Sequence, residues 1–313
     1  MCLKPNYMQI QPEIHNEYDR LRRVVVGVAR RMGGIPTIEE CYDARSYETV
    51  SKGTYPSEQA CMSQMKGLIE VLEGLGVEVF RPEVIGGLNQ VFARDIGFVI
   101  EDQYVIPNII EDRMLERDAM SKIEASIPSS NIIMMPSNCH AEGGDVLVHN
   151  DYIFVGVSDD EDFSKYKTAR TNYAGYEYLM DEFPAKEFKA FELIKDDTIP
   201  QRGSLHLDCA FQPIGGGALL APHLFKNASD VTWIENYFGA ENIFYCNEDE
   251  AYDLTTNILS ISSDTIIVPA SASRLKEWLE GRNFNIHSVE YDEIVKMGGL
   301  LRCSTMPIQR SHD

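Results

Sequence analysis

The strongest constraint on this chain is a repeat: a helical segment passing at once into a short β-rich run, five times over. EQACMSQMKGLIEVLEGLG (58–76) carries apolar residues at helical spacing, stops at glycine and leads into VEVFRP (77–82). The pairing recurs in RMLERDAMSKIEASI with NIIMMP (131–136), and in RTNYAGYEYLMDEF (170–183) with FKAFEL (188–193). It recurs again in HLFKNASDVTWIENYFG (223–239) with NIFYC (242–246), and in SASRLKEWLEGRN (271–283) with FNIHSVEY (284–291). Between the pairs stand hairpin patterns: FVIEDQYVIP (98–107), VLVHNDYIFVGV (146–157), CAFQPIGGGALLAP (209–222) and ILSISSDTIIVPA (258–270). A spacing of roughly 50 residues belongs to architectures whose units bury their apolar faces only against neighbours.

RRVVVGVA (22–29) opens the chain and RCSTMPI (302–308) closes it, so first and last strands can complete one unit and shut a ring. The expectation is one α/β domain over residues 1–313, with five hairpin–helix–strand (ββαβ) units around a pseudo-fivefold axis. A doubly wound sheet is the alternative, but its parallel crossovers need no hairpins. No GxGxxG leads from a strand into a helix, which excludes the dinucleotide-binding version. DDEDFSKYK (159–167) reads as an exposed acidic loop.

A net charge of −21, from 49 acids against 28 bases, repels phosphate backbones and argues against nucleic-acid binding. Such a charge either draws cationic small molecules into an acidic cleft or simply keeps the protein soluble. No run approaches the ~18 apolar residues of a membrane span, and the N-terminus has no signal-peptide core, so a cytoplasmic location is expected. The seven cysteines, Cys2, Cys41, Cys61, Cys139, Cys209, Cys246 and Cys303, are scattered and never spaced CxxC. That disfavours a disulfide framework and a structural zinc site, and reduced thiols are the simplest account.

Polar residues that look out of place stand where the chain enters each hairpin. LNQVFARDIG carries Arg94 and Asp95 inside an apolar run; NCHAEGGDVLV sets Glu142 and Asp145 around two glycines. SLHLDCAF offers His206 and Asp208, sharing a face at strand period two, and the closing strand carries Cys303. Singly, each has a bland account: an Arg94–Asp95 pair, a loop acid, a hydrogen-bonded strand start, a small buried thiol. A rotational relation between the units would bring them to one pocket. Carboxylates facing a pocket are costly unless a cation fills it. A planar guanidinium offers five donors that two carboxylates clamp from its edges, a role that suits Asp95 and Asp208. The clamp would present the central carbon to the Cys303 sulfur. His206 would protonate the departing nitrogen and later take a proton from water. Glu142 either sets the His206 tautomer or adds a third contact to the guanidinium.

FARD, EGGDV, the HLD triplet and the late cysteine followed by STMP resemble the guanidine-modifying enzymes: arginine deiminase, dimethylarginine dimethylaminohydrolase and glycine amidinotransferase. The resemblance runs from about residue 20 to the C-terminus, with four motifs in order. It implies the pentein fold, a five-bladed α/β propeller, and a covalent thiouronium on the cysteine. Carried over by position, Cys303 is the nucleophile, His206 the acid/base, Glu142 its partner, and Asp95 and Asp208 the guanidinium ligands. By the same resemblance Asn89 contacts the amino-acid end of the substrate and Arg170 binds its carboxylate. Arg113 or Arg117 supplies a second cation, with a surface ion pair as the alternative for each of these three arginines.

The function expected is hydrolysis of a guanidino compound, arginine or an N-substituted arginine, to the ureido product and ammonia or an amine. No metal or cofactor is called for. Association as a homodimer is compatible with it, and no membrane or nucleic-acid partner is expected. An amidinotransferase is the alternative: EGGDV departs from the transferase pattern, whereas TNYAGYEYL (171–179) is similar to it. A non-catalytic binding module of the same fold predicts loss of the cysteine, histidine and carboxylates, all of which are present.

Overall fold

The computed structural model describes residues 9–311; Cys2 and the outermost residues of the expected 1–313 domain lie outside them. Five three-stranded sheets are built alike. In each, two antiparallel strands form an inner pair, and a helical crossover returns the chain to a third strand parallel to the second. β1 (Arg20–Val26) pairs in parallel with β2 (Glu78–Phe80). The next sheets are β3 (Phe98–Ile100), β4 (Gln103–Ile106) and β5 (Ile132–Met134), then β6 (Val146–His149), β7 (Tyr152–Val157) and β8 (Glu187–Glu192). The last two are β9 (Phe211–Ile214), β10 (Gly217–Leu220) and β11 (Ile243–Tyr245), and β12 (Leu259–Ser260), β13 (Thr265–Pro269) and β14 (Asn285–Val289). The missing strand of the first sheet is β15 (Thr305–Ser311), antiparallel to β1 with Val26 opposite Thr305 and Arg20 opposite Ser311. This is the five-bladed propeller expected from the repeat.

Short apolar runs form most of the inner strands, such as β3 (FVI), β6 (VLVH) and β13 (TIIVP), because these are buried on both faces. Side chains alternate across a strand, so Val25 of β1 enters one core while Val24 and Val26 enter the next. Val146 and Val148 face the side opposite Leu147, and Leu259 and Ile267 the side opposite Ile266 and Val268. The apolar cores therefore lie between neighbouring units. Crossover helices cover the outside: α1 (Glu58–Gly74), capped by the Ser57 side chain, buries Cys61, Met65, Leu68 and Leu72.

Two local expectations fail. The second crossover, read as one α-helix, is mainly a 3-10 segment, Glu111–Met120, running into a single turn, Ser121–Glu124. Arg113 and Glu116 point inward there as a buried ion pair, three residues apart, which a 3-10 turn stacks directly. The acidic segment 159–167 is not a loop but the short helix Asp160–Lys165. Asp159 caps it, and its first-turn acids favour the helix dipole. Among the described residues no helix is long and apolar enough to cross a membrane.

The ring is pinned at its axis by Arg302, fully buried, whose guanidinium bonds Glu17 (2.9 Å), Asp208 (2.8 Å) and the Val146 carbonyl (2.9 Å). Burial opposes the Glu17 charge, but Arg302 overcomes it and lowers the carboxyl to about 2. A depressed carboxyl stabilises above its unfolded value and loses that contribution as pH falls through the folded one. The Glu17 contribution, about 3 kcal/mol, should thus disappear between pH 4.5 and about 2. Glu17→Ala should destabilise the protein by roughly 3–5 kcal/mol in denaturant titrations at neutral pH, because it strips a buried cation of one partner.

Candidate active site

The entries to the hairpins converge as two adjoining clusters. His206, Glu142 and Asp95 form one, and Asp208, Cys209 and Cys303 the other, each with donor atoms within 4.8 Å of one another. A 3-10 turn, Leu207–Cys209, joins them, so His206 and Asp208 do not share a strand face as their spacing suggested. His206 stands extended at the start of the turn and points to one cluster; Asp208 points to the other. All five residues first singled out are buried, at 0–2 % exposure.

In the first cluster His206 Nε2 lies 2.9 Å from Glu142 Oε2, and Nδ1 lies 3.6 Å from Asp95 Oδ1. Neither Nδ1 nor that Asp95 oxygen has a hydrogen-bond partner among the described residues. Burial works against a charged imidazole, but Asp95, Asp145 and Glu142 together raise the His206 pKa. Glu142 is held well below the carboxylate range: burial opposes its charge, and Arg170 and His206 outweigh that. Gly143 and Gly144 are required by contact here. A Cβ on Gly143 would stand 2.2 Å from the Arg94 carbonyl, and one on Gly144 would stand 2.6 Å from His206 Nδ1. Asp145 holds the turn in place, accepting from the Leu207 amide (2.9 Å) and the Thr171 hydroxyl (2.8 Å).

In the second cluster Cys303 stands two residues before β15, and its sulfur lies 3.8 Å from Asp208 Oδ2. The neighbouring Cys209 thiol pulls the Cys303 pKa down, but burial and the Asp208 and Asp95 charges carry it above its ordinary value. Asn257, not anticipated from the sequence, bonds both the Cys303 amide (3.0 Å) and its sulfur (3.2 Å). The Cys303 carbonyl accepts from the Arg94 amide at 3.0 Å, so FARD and the cysteine loop are joined through the backbone.

The arginines fall out unevenly. Arg113 bonds Asp95 (2.6 Å) and Glu116 (2.8 and 2.9 Å), and is not a surface pair. Arg170 grips both Glu142 oxygens (2.8 and 3.1 Å) and the Tyr42 carbonyl (2.6 Å), equally buried. Arg117 is not brought into either cluster; it bonds the Pro107 carbonyl at 3.3 Å. Asp95 pairs with Arg113 rather than with Arg94. Asn89 lines a separate 310 Å³ cavity with Tyr42, Asp112 and Glu116, next to the first cluster. Arg302, Glu17, Glu116 and Cys209 also escaped the sequence reading. The signal for Arg302 was a charge inside the apolar GGLLRC run; Glu17 and Glu116 carried no local signal.

These two clusters are also the sets of metal-capable side chains found among the described residues. In the first, Glu142 is already bonded to Arg170 and His206, and in the second Asp208 is bonded to Arg302. The carboxylate oxygen left without a hydrogen bond among the described residues is Asp95 Oδ1, turned toward the His206 imidazole. That suits a planar cation able to donate to Asp95 while its carbon meets the thiol.

Residues 44–310 match the family model described as N,N dimethylarginine dimethylhydrolase, eukaryotic. The uncharacterized protein YkgA of Bacillus subtilis (strain 168) is 31% identical over 249 residues, 79% of either chain. The bifunctional arginine dihydrolase/ornithine cyclodeaminase AgrE of Nostoc sp. is 24% identical over 80% of this chain, which spans 34% of AgrE. Among solved structures, the N-terminal domain of ArgZ, a cyanobacterial arginine dihydrolase, superposes with a TM-score of 0.76 at 21% identity. It covers 93% of this chain and 98% of its own. The inosamine-phosphate amidinotransferase StrB1 of Streptomyces griseus does so with a TM-score of 0.73 at 17% identity, over 97% and 98%. The chain belongs to the N,N-dimethylarginine dimethylhydrolase family, within the guanidino-modifying pentein superfamily.

Proposed function

We propose that the protein is a cysteine-dependent hydrolase of a guanidino compound, arginine or an N-substituted arginine. The observation that carries this is the buried pairing of Asp95 Oδ1 with His206 Nδ1 at 3.6 Å, beside a thiol flanked by Asp208. A guanidinium seated on Asp95 neutralises the field that holds the Cys303 thiol protonated, so binding itself promotes the thiolate. The sulfur attacks the central carbon, and the leaving nitrogen departs with the His206 proton. The remaining amidino group stays on sulfur as a thiouronium. His206 then takes a proton from water, the hydroxyl adds to the same carbon, and the C–S bond breaks to return the thiolate and a ureido product. Glu142, held by Arg170, keeps His206 oriented and favours its charged form.

Amidino transfer is the second reading, since the fold is shared with transferases. The transferase-like stretch 171–179 does not favour it. Thr171 is bonded to Asp145, and the Asn172 side chain caps the helix Tyr173–Glu182 and bonds the His140 amide. These are scaffold contacts, not groups turned to an acceptor.

A panel of arginine, methylarginines, agmatine and guanidino acids, read by mass spectrometry, tests the reading. A ureido product with released ammonia or amine is expected; ornithine without citrulline, only when glycine or another acceptor amine is added, would establish transfer instead. Cys303→Ser should abolish turnover of every substrate, and normal turnover by that variant would eliminate the mechanism. Gly144→Ala should lower kcat by about 100-fold, through displacement of His206, and should lower the thermal midpoint as well. In the free protein, iodoacetamide should alkylate Cys303 with a pH midpoint above the ordinary thiol value. Saturating guanidinium ion should lower that midpoint.

A further inference from the structure

The five hairpin entries are equivalent positions around the axis, and four carry groups already described. Asp95 precedes β3, Glu142 precedes β6, His206 and Asp208 precede β9, and Cys303 precedes β15. The fifth entry, before β12, carries Asn257. Its side chain is fully buried, and among the described residues its hydrogen bonds go to one partner, Cys303. We infer that Asn257 is a positioning residue for the nucleophile, fixing the Cys303 sulfur and supporting its ionised form. This rests on the reading of Cys303 as the nucleophile.

The orientation of the amide follows from chemistry. The Cys303 backbone N–H can only donate, so Oδ1 must face it at 3.0 Å, which leaves Nδ2 to donate to the sulfur at 3.2 Å. A thiol is a weak acceptor and a thiolate a strong one, so this donor stabilises the charged form preferentially. The contact is held from behind. The Asn257 carbonyl accepts from the Arg302 amide (3.3 Å), its amide donates to Leu254 (2.8 Å), and Thr256 donates to the Asp208 carbonyl (2.9 Å). One short segment thus registers the thiol against the carboxylate beside it. A neutral amide also suits the place electrostatically: a lysine or arginine there would stabilise the thiolate more, but would compete with a cationic substrate for Asp208.

Two variants separate this role from packing. Asn257→Asp keeps an acceptor for the Cys303 amide and replaces the donor to sulfur with an anion; Asn257→Ala removes both contacts. The rate of iodoacetamide alkylation is followed against pH in each full-length protein, together with kcat and KM. In Asn257→Asp the midpoint should move up and the neutral-pH rate should fall by about tenfold or more. The high-pH plateau should stay as in the parent, with kcat lowered and KM little changed. Asn257→Ala should shift the midpoint the same way by a smaller amount. An unchanged midpoint in either folded variant would overturn the proposal. Normal turnover by Cys303→Ser in the Asn257 background would instead remove the nucleophile reading itself, a result the alkylation profiles do not produce.

Discussion

A single buried guanidinium holds this ring to its chemistry. Arg302 has no exposed surface, so each of its donors needs a partner, and those partners come from distant parts of the chain: Glu17, Asp208, and the Gly143 and Val146 carbonyls. An uncompensated charge at such depth would cost several kcal/mol. The cost is avoided only when the segment before β1, the entries to β6 and β9 and the closing strand arrive together. Because Arg302 adjoins Cys303, the same requirement that closes the ring sets the nucleophile beside Asp208. Fold and candidate site are therefore not separate layers here.

The acids around the axis follow the same logic. Glu116, Glu142 and Asp208 are matched by Arg113, Arg170 and Arg302, and the arginines keep those carboxylates from repelling one another. Asp95 is shared, with one oxygen on Arg113 and the other, without a hydrogen bond among the described residues, facing His206. That oxygen is an acceptor left open where the reaction is proposed. Tyr42 completes the cover: its carbonyl receives Arg170, and its ring lies within 6 Å of both the Arg113 and Arg170 guanidinium carbons.

The large-scale fold was legible because its signals are periodic. Alternation within strands, helical spacing between them and the recurrence of the pair need no knowledge of distant contacts. Short motifs marked FARD, EGGDV, HLD and Cys303 as entries, because charge in an apolar run is conspicuous. Asn257 escaped for the opposite reason: an asparagine after two threonines looks like ordinary turn chemistry, and only the fivefold register reveals its place. Glu17 and Glu116 were unreadable since each owes its position to a partner, Arg302 or Arg113, that the sequence does not label as buried. The 159–167 segment misled because a dense run of acids imitates a solvated loop, although the same acids suit a helix N-terminus.

The five sheets also differ along their radius. The inner two strands of each sheet are mostly buried, apart from the arginine-bearing start of β1, whereas the third is only partly covered in β2, β5, β8 and β14 and largely buried in β11. Structural constraint therefore falls from hub to rim. A change at any one entry meets groups from the others at once, and of the crossovers the second reaches the hub directly, through Arg113 on Asp95. In such a fold a replacement on an exposed rim strand touches its own unit, whereas a replacement at one entry has to be accommodated by the other four.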